Sequence, residues 1–357
     1  MTAPAVALPA RLPLSFELDV EHEAHEPPEA RGVPRDEVAL VVSDGDRDPQ
    51  VSRFDLLPTW LRPGDLLVVN TSATIPAALD AVDHDGEPLV VHLSTELPGG
   101  LWLVEPRRKV ANGSTAPLTL AGPRTLVLPD GTRIDLVRRS PGSNRLWMAA
   151  PPDGVELVEL AHGFGRPIRY PYVPRDWPLA AYAHVFGREP GSAEMPSASR
   201  PFTPAVVASL VAAGVGFATI TLHTGVSSLE GHELPYPERY RIDASTAALV
   251  NATHAVGGRV VAVGTTVVRA LESTVDRRGT VHPGRGWTDL VVTPAEGVGA
   301  VDGLVTGWHE PEATHLAMLE AVAGREALVA AYELAFRRGL RWHEFGDSHL
   351  ILAAEHR

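Results

Sequence analysis

The segment Val260-Val261-Ala262-Val263-Gly264-Thr265-Thr266-Val267-Val268-Arg269-Ala270-Leu271-Glu272-Ser273 restricts the fold more than any other stretch of the chain. Four apolar residues without polar alternation describe a strand covered on both faces, as in a parallel sheet. Gly264 permits a tight exit. Thr265 and Thr266 suit a helix start, where hydroxyls and backbone N–H groups face outward. On that helix Thr265, Val268, Arg269 and Glu272 share a face, at spacings of three and four. A helix N-terminus, two hydroxyls, a guanidinium and a carboxylate are thus expected to converge beyond the carboxyl end of a strand, where α/β sheets take small charged ligands. An ordinary strand–turn–helix with an internal Arg269–Glu272 pair satisfies the same pattern.

Two textures divide the remainder. From about 80 to 150, the runs PLVVHLST, LWLVEP, APLTLAG, RTLVLP, TRIDLVRR and NRLWMAA are short and β-type, separated by Gly, Pro, Asn and Asp. Asp130-Gly131 is a hairpin signal. These runs predict a small all-β barrel, residues 80–150, inserted into a main domain made of 1–79 and 151–357. In the main domain, strands are expected at 38–43, 66–70, 215–222, 259–263, 289–293 and about 349–353. Helices are expected to open at Thr203-Pro204 and Ser245 and to cover about 314–322 and 325–338. The fold class read from this rhythm is α/β, a largely parallel sheet or incomplete barrel carrying the inserted β-barrel.

Composition removes several chemistries. Cysteine is absent, which excludes disulfides, thiolate zinc, cysteine-bound iron–sulfur clusters and a cysteine nucleophile. Lys109 is the only lysine and sits in a polar turn, a poor place for a Schiff base. A net charge of −13 argues against a general nucleic-acid binder, although Arg107-Arg108-Lys109 and Arg337, Arg338 and Arg341 form local basic clusters. No apolar run is long enough to span a membrane, and the first residues lack the pattern of a signal peptide, so a cytoplasmic location is expected.

Candidate site residues fall at strand ends. His223 follows the 215–222 run, Gly264, Thr265 and Thr266 follow the 259–263 run, and Thr306-Gly307-Trp308-His309 follows Gly303-Leu304-Val305. Trp308 is suited either to stacking on a purine or to core packing. Asp347 in Phe345-Gly346-Asp347 is suited to orienting a ribose or an arginine, or to capping a turn. His309, Glu310, Glu312 and His315 have the residue types for zinc, but Pro311 and the spacing do not fit a helical His–Glu–x–x–His pair, so no metal is expected.

These segments also carry a resemblance. AVGTTVVRALES is similar to the AVGTTSVRTLES block of the S-adenosylmethionine:tRNA ribosyltransferase-isomerases of queuosine biosynthesis. Residues 54–79, Arg166 to Val173, Leu222 to Gly225, Thr306 to Leu319 and Phe345 to Ile351 resemble further blocks of that family in the same order. The resemblance implies an α/β core with an inserted β-barrel. It also implies transfer and isomerisation of the ribosyl group of S-adenosylmethionine onto 7-aminomethyl-7-deazaguanine in tRNA, with adenine and methionine leaving. S-adenosylmethionine would be a co-substrate, with no further cofactor, and the enzyme a monomer. On that basis His223, Arg269, Glu272 and His309 are the candidate catalytic residues. Gly264, Thr265, Thr266, Trp308 and Asp347 are the candidate substrate-binding residues.

Several positions depart from the family's pattern. Ser199 and Pro201 stand where it has glycine and histidine, Ser227 and Ser228 where it has glycine and threonine, Tyr236 at a histidine and Gly307 at an asparagine. Two other readings therefore stand beside the family activity: a paralogue that uses S-adenosylmethionine with a small-molecule acceptor, and a non-catalytic binding protein on the same scaffold.

Overall fold

The computed structural model describes residues 15–110, 114–226, 236–311 and 313–354. Its centre is a nine-stranded sheet in the order Gly284–Thr288, Glu238–Ile242, Gly216–Leu222, Leu66–Asn70, Val260–Val263, Gly303–Gly307, Ser348–Leu352, Ala39–Asp44, Gln50–Arg53. Val260–Val263 is the fifth of the nine, and its side chains are at most 1% exposed, as unbroken apolar character requires. The strand Leu66–Asn70 is buried along its whole length beside it.

The sheet is mixed rather than largely parallel. Gly216–Leu222, Leu66–Asn70, Val260–Val263 and Gly303–Gly307 run parallel. Ser348–Leu352 then enters antiparallel to Gly303–Gly307, and Ala39–Asp44 is parallel to it. Both outer pairs are antiparallel, and the edge strands Gly284–Thr288 and Gln50–Arg53 are partly exposed and polar, a common way of blunting an edge. Helices cover both faces. Ala244–Ala255, Thr265–Glu272, Thr314–Ala323 and Arg325–Arg337 bury one apolar cluster, and Pro204–Ala212 buries a second on the opposite side. No helix among the described residues is long and apolar enough to cross a membrane.

The strand expected at 289–293 is absent. The strand there is Gly284–Thr288, and the following apolar residues, Leu290 to Val292, instead wall a cavity. Thr288 ends the strand by accepting the Leu290 N–H on its Oγ1 at 3.2 Å.

The second body is a closed antiparallel barrel. Its ring runs Ala78–Asp83, Pro88–Glu96, Trp102–Lys109, Trp147–Ala150, Arg133–Arg139, Arg124–Val127, and closes where Arg124–Val127 pairs with Ala78–Asp83. Closure removes free edges. Gly131, with φ 89°, makes the expected hairpin between Arg124–Val127 and Arg133–Arg139. APLTLAG supplies only the short strand Thr115–Pro117, attached outside the ring. The strand Ala78–Asp83 is not legible locally because it carries Asp80 and Asp83. Arg166 and Lys109 neutralise the first, and Arg124 the second.

Candidate active site

A cavity of about 340 Å³ opens where Val260–Val263 and Gly303–Gly307 end and where the chain leaves Gly216–Leu222. Gly264 starts its wall with φ 96° and ψ 150°, and its N–H donates to Val305 O at 2.8 Å. That backbone region is open to glycine and strained for other residues. Gly264→Ala is therefore expected to destabilise the protein by about 1–3 kcal/mol and to displace the helix start; urea unfolding measures the effect.

Thr265 and Thr266 line the cavity at the start of the eight-residue helix Thr265–Glu272, and Asn70 Nδ2 donates to Thr266 Oγ1 at 3.4 Å. Arg269 lines the same wall. It is 7% exposed, and its guanidinium is held by Glu238, by Leu290 O at 3.1 Å and by Thr288 O at 3.0 Å. Glu238 also accepts the Gly225 N–H at 2.9 Å, so it ties the exit of Gly216–Leu222 to Arg269.

The expected convergence of Arg269 and Glu272 does not occur. Glu272 accepts the N–H groups of Gly299 and Ala300, away from the cavity. The two residues lie close on the helix, but distant backbone donors take the second carboxylate.

His223 does not line the cavity either; its neighbour Thr224 does. The His223 ring is buried against Gly191, with Nδ1 2.7 Å from Ser72 Oγ, and burial pushes it down to about 4. Asp347 accepts the N–H groups of Ala39 and Arg341, each at 2.8 Å, and so braces the turn before Ser348–Leu352. It is outside the lining, as turn bracing predicts.

Trp308 reaches the lining from the core. Its ring is 2% exposed, stacked on His349 at 5.0 Å and set edge-on to Tyr332, so it is committed to packing. Its indole N–H has no acceptor among the described residues. His309 lines the cavity with Nε2 2.9 Å from Thr306 Oγ1, and its ring lies over His315 at 4.8 Å. Burial holds His309 well below its ordinary value, and His315 and His343 at about 4. All three rings are neutral at pH 7.

Sequence reasoning missed Tyr172, His343 and Glu344, which line another part of the cavity, and weighed Glu310 there only for zinc. Tyr172 donates to Glu344 and stacks on His343 with ring centroids 4.0 Å apart. Tyr172 lies in the RPIRYPYV block and was accessible from it. His343 and Glu344 precede Phe345-Gly346-Asp347 with no signal of their own.

Among the departures from the family pattern, Ser199 lines the cavity with a buried hydroxyl that has no partner among the described residues, whereas Pro201 lies outside the lining. Tyr236 lines it and donates to Ser143 Oγ of the barrel at 3.1 Å, under the guanidinium of Arg145. Gly307 lets the Ser197–Ser199 turn close on its strand: a Cβ there would lie 3.2 Å from Ser197 Oγ. Ser227, Ser228 and Glu312 lie outside the described residues.

Part of each basic cluster is neutralised. Arg107 pairs with Glu105 inside the barrel, Lys109 with Asp80, and Arg337 with Glu333. The one close grouping of three metal-ligating side chains among the described residues is Asp83, His84 and Asp85, in the barrel. Asp83 there already accepts from Arg124 and from the Asp85 and Glu87 N–H groups.

Comparison with known proteins agrees with this architecture. A family model described as "Queuosine biosynthesis protein" matches residues 13–351. A protein of Acidiphilium cryptum named S-adenosylmethionine:tRNA ribosyltransferase-isomerase is 36% identical over 93% of this chain and 98% of its own. One of the same name from Thermus thermophilus is 37% identical over the same shares, 93% and 98%. The crystal structure of a Thermotoga maritima S-adenosylmethionine tRNA ribosyltransferase superimposes with a TM-score of 0.53 at 28% identity. It covers 95% of this chain and 99% of that one.

Proposed function

Because the chain belongs to the queuosine biosynthesis protein family, we propose that it is an S-adenosylmethionine:tRNA ribosyltransferase-isomerase whose reaction takes place in the cavity beside Gly264. In this reading it moves the ribosyl group of S-adenosylmethionine to 7-aminomethyl-7-deazaguanine in tRNA, isomerises it to the epoxide of epoxyqueuosine, and releases adenine and methionine. The observation that carries the proposal is the pairing of two unlike walls around one cavity.

One wall presents the first N–H groups of the Thr265–Glu272 helix, the threonine hydroxyls and Arg269. Helix N-termini and guanidinium groups favour an anion, here the methionine carboxylate. The other wall presents Tyr172, Glu310, Glu344 and neutral histidines, which favour the sulfonium cation. S-adenosylmethionine carries both charges, about a methionine length apart. His309 is placed to exchange a proton with the substrate, since its neutral ring can accept one. Glu272, His223 and Asp347 support the cavity from outside it.

The reading takes the enzyme as a monomer, and no cofactor besides the co-substrate is invoked. Tyr236, bound to Ser143, links the barrel of the inserted 80–150 unit to the cavity, which gives that unit a place beside the acceptor base. A cytoplasmic location follows from a tRNA substrate. A small-molecule acceptor and a non-catalytic role are not favoured, because relatives aligned nearly end to end share a single enzymatic name.

The test is nucleoside analysis of precursor-bearing tRNA after incubation with the protein and S-adenosylmethionine. The expected result is loss of the deazaguanine nucleoside and appearance of a product heavier by the rearranged ribosyl unit. Unchanged tRNA would refute the proposal.

A further inference from the structure

We propose that Glu344 is the base that takes the proton from the ribose carbon next to the sulfonium, and that Tyr172 is the residue that positions it. The assignment rests on the reading of the cavity as an S-adenosylmethionine site. In the step, a Glu344 carboxylate oxygen gains the hydrogen as the C–H bond breaks. The bonding pair stays on carbon, giving a sulfonium ylide, and Glu344 becomes neutral. When the bond from ribose to adenine breaks, the base departs with that electron pair. Glu344 returns its proton to it, so that neutral adenine leaves and the carboxylate is restored.

Four carboxylates line the cavity: Glu194, Glu238, Glu310 and Glu344. Glu238 is engaged by Arg269 and the Gly225 N–H. The Glu310 side chain is 62% exposed and faces His343 at 3.6 Å. Glu344 differs from Glu238 and Glu310 because its hydrogen bond comes from a phenol, Tyr172, rather than from a cation. An arginine partner would keep a carboxylate weakly basic, whereas a phenol leaves it able to take a proton.

The phenol is fixed from several sides. Its ring lies between Tyr170, with centroids 5.6 Å apart, and His343. Its backbone carbonyl is 2.6 Å from His25 Nδ1. His343 has φ 71°, the one positive φ outside glycine among the described residues, and this left-handed turn sets the direction of the next residue, Glu344. Non-glycine residues in that region concentrate at functional sites.

The electrostatics fit the role. Burial raises Glu344 to about 7, Glu194 and Glu310 add to the rise, and the Tyr172 hydrogen bond opposes it. Tyr182 also faces the carboxyl, and His343 stays neutral. A base poised near the working pH gives the best compromise between proton affinity and the fraction present as carboxylate.

The experiment compares wild type, Glu344→Gln, Glu344→Asp and Tyr172→Phe. It measures adenine release with precursor tRNA from pH 5.5 to 8.5, S-adenosylmethionine affinity by calorimetry, and melting temperature. In the wild type, kcat/KM should rise with pH through the Glu344 titration. Glu344→Gln should lower kcat at least about 100-fold, with a much smaller fall in affinity. Glu344→Asp should recover part of the rate. Tyr172→Phe removes a hydrogen bond that favours the carboxylate, so the rising limb should move to higher pH.

Glu344→Gln that keeps more than a tenth of the rate, or the same pH limb, would overturn the assignment while leaving the function standing. Loss of affinity in step with rate would also overturn it, by making Glu344 a ligand contact. Wild-type protein that releases no adenine would refute the function, and this assignment with it.

Discussion

Arg269→Met is expected to abolish measurable S-adenosylmethionine binding and to remove about 3–5 kcal/mol of folding stability. The guanidinium is buried and holds three acceptors from two other segments: Glu238, Leu290 O and Thr288 O. Methionine fills much of the volume but offers no donor. Glu238, whose side chain is 13% exposed, is then left as an uncompensated buried charge. Removing one partner of such a pair costs more than removing both. Arg269→Met with Glu238→Gln should therefore regain a large part of the lost stability without regaining binding. Urea unfolding of the four proteins in the cycle, with a ligand titration of each, separates the structural role from the binding role. An effect of Glu238→Gln that is the same in the wild type and in the Arg269→Met background would show that the pair is not coupled.

The second large effect is loss of stability in acid. Burial pushes His223, His315 and His343 down to about 4 and His349 to about 3, so the folded protein holds these rings neutral. The unfolded chain protonates them near 6.5. Below that pH the unfolded state binds more protons, so stability is fully present above about 6.5 and falls as the pH drops toward 4. His315 alone, with a shift from 6.5 to about 4, accounts for at most about 3 kcal/mol by the bottom of that range.

Glu344 has the opposite sign. Raised to about 7, it favours the folded state at low pH and loses that contribution as the pH rises from about 4.5 to 7. Burial also raises Glu272, Glu310 and Asp347, but it lowers His92, His184 and His309 along with the four rings, and the histidines outweigh the carboxyls. Several kcal/mol is a large part of the stability of a domain, so the protein should unfold between about pH 5 and 4, as followed by circular dichroism. A stability that is flat from pH 7 to 4 would contradict the neutral buried rings.

The parts of the fold that were legible are those whose sequence pattern reports burial directly. Val260–Val263 lies at the centre of the sheet because only a strand covered on both faces tolerates four consecutive apolar residues. Asp130-Gly131 made its hairpin because the turn demands a positive φ. What escaped was decided by partners far along the chain. Ala78–Asp83 is a strand despite two aspartates because Arg166 and Arg124 meet them. Glu272 shares a helix face with Arg269, yet it turns to the Gly299 and Ala300 amides, while Glu238 from a neighbouring strand takes the guanidinium.

The same holds for the site. The Gly264-Thr265-Thr266 turn, Arg269, Trp308 and His309 were found from strand ends and do line one cavity. His223 was found by the same rule, but its ring turns to Ser72, because successive residues leaving a strand point to opposite faces and Thr224 takes the inward one. His343 and Glu344 carry no local pattern. They reach the cavity through a left-handed turn and a tyrosine 172 residues away in the chain.

The most direct measurement is the stoichiometry of adenine and methionine released from S-adenosylmethionine, with tRNA bearing the deazaguanine precursor and with the same tRNA lacking it. Equal amounts of both products, released only with the precursor, are the predicted result. Release independent of the precursor, or none with either tRNA, would contradict the account.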